Sequence, residues 1–175
     1  MKLTWRKLAY RLGILAFSCS LSTLPVQALN DGDDAFGGHG LGGTWSVKVT
    51  LTNCQTGAAM GSPFSSYLSF AGNGTMTEET SNPGFAIGQR GIGLGVWSRS
   101  SWNTYSVKSV AFIFYTTAPA PPVSPGFTAG TQTITQTITL LNRDEWTANA
   151  TIQFADATGT VYRNGCAVAT AVRFQ

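Results

Sequence analysis

Few side chains in this 175-residue chain could do chemistry, and their spacing narrows what that chemistry could be. The one histidine, His39, stands in a glycine-rich stretch (LNDGDDAFGGHGLG, residues 29–42) where nothing rigid can hold it at catalytic geometry. Serines are plentiful, but none after that stretch has a histidine to activate it, so hydrolytic triad chemistry is disfavoured. Glu78, Glu79, Asp144, Glu145 and Asp156 fall at turns or strand ends and read as solvated acids. Asp31, Asp33 and Asp34 look like half of a calcium loop without the Glu that completes one. Gly91, Gly93 and Gly95 alternate, but a strand-like segment follows them where a dinucleotide loop needs a helix, so no cofactor is expected. They read as a loop or a sharply bent strand.

What remains is binding chemistry. Gln132 and Gln136 share one strand face with Ile134, Ile138 and Leu140. Two amides on an apolar wall can orient a ligand in a cavity. Trp97 and Trp102 follow the glycine run, which beside them could serve as a lid. These four residues are the expected ligand contacts. No catalytic residue is expected, and the absence of Cys-x-x-Cys spacing leaves no metal site.

Residues 1–28 read as a secretory signal peptide. Lys2, Arg6, Lys7 and Arg11 precede a short apolar run, and Val26-Gln27-Ala28 has the form of a cleavage site, with cutting expected after Ala28. These are four of the 11 Lys+Arg, so the mature chain keeps 7 against 8 Asp+Glu, a net charge of −1. No positive field is left to attract nucleic acid. No integral membrane segment is expected in the mature chain, which is read as secreted or periplasmic. There Cys54 and Cys166 are expected to form a disulfide.

Residues 29–42 read as a flexible linker and residues 43–175 as one domain. From Gly43 onward the pattern is short alternating segments separated by turns. Strands are expected over about 44–52, 64–70, 75–80, 95–100, 104–116, 128–141, 146–155 and 160–174, with no helix after Ala28. The expected fold is all-β, an eight-stranded antiparallel up-and-down barrel, because closure removes the two unpaired edges; a β-sandwich is the alternative. If the first and last strands pair with Cys54 facing Cys166, then Trp45 faces Gln175 and Arg173 faces Val47. Arg173 is then the diagonal same-face neighbour of Trp45, within cation–π reach, and the cysteines lie on the opposite face.

Gly43-x-Trp45 on the first strand, with Arg173 on the last, resembles the calycin superfamily of lipocalins, fatty-acid-binding proteins and avidins. The turn Asn142-Arg143-Asp144-Glu145-Trp146 shares only its Asp with the lipocalin Thr-Asp-Tyr signature, and no helix follows the last strand. The resemblance implies a structural role for Trp45 and Arg173 at the closed end of the barrel, with any site at the other end. It implies a non-catalytic module binding a small apolar or amphipathic ligand in its lumen. Two other readings stand beside it. Residues 110–115 are apolar on both strand faces, which suits a homo-oligomer. A cyclase or isomerase would need an acid, Tyr or Arg buried in the lumen.

Overall fold

The computed structural model describes residues 40–116 and 128–175. The expected signal peptide and cleavage site, His39 and residues 29–39 of the expected linker lie outside them. The strands are β1 (Gly43–Thr52), β2 (Phe64–Phe70), β3 (Thr75–Thr80), β4 (Gly93–Arg99), β5 (Thr104–Phe114), β6 (Thr128–Asn142), β7 (Glu145–Asp156) and β8 (Val161–Arg173). Each pairs antiparallel with its chain neighbours, and β1 pairs with β8, closing the barrel. This architecture is compatible with a calycin-like fold. Among the described residues no helix is long and apolar enough to cross a membrane.

Alternation decides which side chains point inward, as it must where one face of a strand is buried. Val47 of β1, Leu68 and Phe70 of β2, Tyr105 and Val107 of β5, Ile138 and Leu140 of β6 and Trp146 of β7 are buried. Together with Trp45 they fill one end of the barrel. The Trp45 and Trp146 rings meet edge to face at 6.0 Å. Leu41, placed by sequence in the linker, is fully buried against them, and its carbonyl accepts from Trp45 Nε1 at 2.9 Å.

Arg173 locks this end. Its guanidinium carbon lies 4.2 Å from the Trp45 ring centroid. Nη1 donates to Gly42 O at 2.7 Å and Nη2 to Gly40 O at 3.1 Å. Nε and Nη2 both donate to Arg143 O, and Nε lies 3.3 Å from Asp144 Oδ1. One side chain therefore ties the segment before β1 and the β6–β7 turn to the end of β8.

The β1–β8 register corrects the one expected. Trp45 is directly opposite Arg173, Val47 opposite Ala171 and Thr52 opposite Cys166. The disulfide Cys54–Cys166 is present with Cα atoms 5.2 Å apart, but it is not a ladder pair. The ladder stops at Thr52, and Asn53 Oδ1 then accepts from the amides of Gln55 and Thr56. That turn folds Cys54 back beside Cys166 from beyond the strand end. The shift is two residues, so facing is preserved: Trp45 points inward, and Cys166 sits opposite outward-facing Thr52.

Outside, Thr and Ser cover much of the wall. On β4–β5 the outer face is apolar: Leu94 pairs with Val110, and Val96 and Phe112 are also exposed. At the β7–β8 turn Asp156 accepts from Thr158 Oγ1 at 2.6 Å and Thr160 N at 3.0 Å, and these bonds hold its carboxyl below the usual carboxylate range.

Candidate functional site

The other end of the barrel is hollow because small side chains line it. Ala150 of β7, Ala167 and Ala169 of β8 and Ser66 of β2 face a cavity of about 50 Å³. That is room for about three or four waters, at roughly 10–15 Å³ each. Val49, Leu51, Phe64, Ile134 and Ile152 supply apolar wall, and Glu78, Gln132 and Gln136 supply polar wall. Phe85, from the segment between β3 and β4, stands at its edge with its ring 6.3 Å from that of Phe154. Thr80, Asn82 and Phe85 also line a hollow of about 330 Å³ under that same segment.

Behind the polar wall lies a buried ion pair. Arg90 Nη2 is 3.1 Å from Glu78 Oε1, and the two side chains are only 4% and 8% exposed. Ser109 Oγ donates to Glu78 Oε2 at 3.1 Å, and Arg90 Nε donates to Gln132 Oε1. Arg90 Nη1 also donates to Gly91 O at 3.3 Å. Both Glu78 oxygens are thus engaged by protein donors.

Local backbone geometry aims these residues. Met76 and Glu78 alternate along β3, so Glu78 faces the lumen with Met76. Arg90 bridges Ile113, while Leu94 pairs with Val110. Three residues on one side then span two on the other, which is a β-bulge. It turns Arg90, which precedes β4 and would continue its outward-facing parity, to the inside. Gly93 leaves the space the pair occupies: a Cβ there would lie 3.0 Å from Glu78 Oε2 and 3.5 Å from Arg90 Nη2. At Gly95 a Cβ would meet Lys108 O at 2.2 Å, so that position admits no side chain while β4 and β5 stay this close.

Compared with known proteins, the chain matches no family model and no curated sequence. The site is therefore read from its own geometry.

The four expected ligand contacts do not gather round one cavity. Gln132 and Gln136 are buried and line it. Trp97 is at the closed end, packed on Phe70 and Tyr105, with Nε1 donating to Ala71 O at 3.0 Å. Trp102, in the β4–β5 turn at that same end, is 61% exposed. The glycine run adjoins neither tryptophan as a lid; Gly93 and Gly95 lie in β4 itself.

Glu78 corrects the reading of that acid as solvated. Alternation with Met76 carried the signal for it. For Arg90 the sequence carries no such signal, because a bulge reverses its facing.

Removing one partner of a buried pair strands the other charge, whereas removing both does not. Arg90→Met alone should lower unfolding free energy by about 3–5 kcal/mol. The double variant Glu78→Leu/Arg90→Met should be more stable than either single variant in equilibrium urea unfolding. Strictly additive losses would contradict a mutually compensating pair.

Proposed function

We propose that this protein is an exported barrel module that binds a small, largely apolar ligand in the hollow half of its lumen. The observation that carries the reading is the asymmetry of the interior. One end is packed solid with aromatic rings, while the other keeps a cavity with apolar walls and two buried amides, Gln132 and Gln136. A few oriented polar groups in an apolar concavity are what small-molecule sites consist of. Because both Glu78 oxygens are held by Arg90 and Ser109, the buried acid suits a binding role better than that of a general base. The disulfide suits an oxidising compartment and supports export.

A ligand larger than a few waters requires Phe85 to swing out. Displacing a packed aromatic ring costs about 1.5–3 kcal/mol, roughly tenfold or more in affinity. Phe85→Ala should therefore bind the neutral fluorophore prodan about tenfold more tightly than the unaltered chain, with blue-shifted emission. No shift from either protein, both folded by circular dichroism, would contradict lumen binding.

A second reading concerns the outer wall. Leu94, Val96, Val110 and Phe112 form an exposed apolar strip on β4–β5, Phe112 at 59% exposure. Such a strip suits contact with a second copy. On this reading the chain sediments as a dimer at tens of micromolar, on the order of an ordinary weak interface, and Phe112→Ser sediments as a monomer. A monomer before substitution counts against it.

A further inference from the structure

The charges inside the lumen cancel, and the orientation of one amide is imposed. From these two observations we infer that the cavity selects a neutral ligand carrying a carbonyl-type acceptor, and that Gln132 Nε2 is the group that recognises it. The inference rests on the binding reading above and adds the chemical class of the ligand.

Arginine has donors only, so the Gln132 atom that receives Arg90 Nε must be its oxygen. The amide is thereby fixed: its oxygen is used, and its two N–H donors are left. Gln132 is 4% exposed and lines the cavity, and no protein acceptor for those donors is found among the described residues. The Gln136 side chain, also buried and on the cavity wall, is likewise without a protein partner there. Thr80 Oγ1, on the same wall, is fully buried and has no protein partner either. A ligand acceptor seated against the Gln132 donors gains hydrogen bonds that the fold leaves unmade.

The sign of that ligand follows from the ion pair. Arg90 and Glu78 neutralise each other, and they are the charged side chains in direct contact at this wall. An incoming carboxylate would be buried beside Glu78, with Arg90 already paired and Arg163 outside this cavity, exposed over the Phe154 ring. An ammonium would be buried beside Arg90 with no free anion. Either leaves an unpaired charge in an apolar space, which is strongly unfavourable. A ketone or amide needs only the donors already in place, and its hydrocarbon part meets Leu51, Ile134 and Ile152.

The test uses the ring-sized space vacated in Phe85→Ala and four compounds that each bring a phenyl ring: acetophenone, ethylbenzene, benzoate and benzylammonium. Calorimetric titration at neutral pH should give acetophenone about fivefold tighter than ethylbenzene, the effect of one hydrogen bond, with benzoate and benzylammonium at least about tenfold weaker than acetophenone. Gln132→Glu in the same background keeps an acceptor for Arg90 Nε but replaces the donor by a second carboxylate. There the advantage of acetophenone should vanish and benzylammonium should gain about tenfold. Benzoate binding as tightly as acetophenone, or acetophenone equal to ethylbenzene, would overturn the inference and leave lumen binding standing. If none of the four binds to folded Phe85→Ala, the binding reading falls with it.

Discussion

A closed sheet depends on the pairing of its first strand with its last, and here Arg173 on Trp45 anchors one end of that ladder. A cation over an indole contributes about 0.5–2 kcal/mol. The same guanidinium also takes carbonyls from Gly40, Gly42 and Arg143, groups that would otherwise be short of donors at the barrel base. Its geometry is a planar fork that lysine cannot copy. Closure here sets the β1–β8 register, and with period two the register decides every inward-facing residue on both strands. Ala167, Ala169 and Ala171 face the lumen because of it. The cavity exists because two of those small side chains lie at its level.

The division of labour along the barrel axis follows. Near Arg173 the large rings of Trp45, Trp146, Phe70 and Tyr105 fill the cross-section. Toward the opposite mouth the inward residues shrink and turn polar, and the space is shared between a cavity, the Phe85 ring and the Arg90–Glu78 pair. A buried ion pair is weak evidence for stability, since taking two ions out of water costs several kcal/mol each. Its presence inside a barrel whose other half is apolar suits recognition better than packing. The disulfide Cys54–Cys166 bridges β8 to the turn beyond β1 on the mouth side, and closes a separation of 112 residues. In the chain-entropy account a loop of that length stabilises by about 4–5 kcal/mol.

Much of this was legible in the sequence. Alternation in β1 and β7 marks both the strands and their inner faces, and turn residues such as Ala71-Gly72-Asn73-Gly74 mark the ends. The face carrying Gln132, Gln136 and Ile138 on β6 is visible for the same reason. What was not legible depends on departures from the ladder. Cys54 suggested a register two residues off because it sits in a turn and not opposite Cys166. Arg90 enters the lumen only through a bulge, which leaves no periodic trace. Trp97 follows Gly95 within β4 but its ring packs into the filled end on Phe70 and Tyr105, and Trp102 lies in the turn beyond that strand.

If Arg173 fastens one end and a ligand enters past the segment carrying Phe85, the two ends must differ in local stability. Native-state amide hydrogen exchange measures both ends at once. At the mouth the amides of Gly91 and Phe114 bond to Phe112 O and Gln89 O; at the base those of Leu140 and Arg173 bond to Asn103 O and Asp144 O. Local opening of the mouth predicts that Gly91 and Phe114 exchange about a hundredfold faster than Leu140 and Arg173. Equal protection at the two ends, at the level of global unfolding, would contradict the account, because a cavity sealed that firmly admits no ligand.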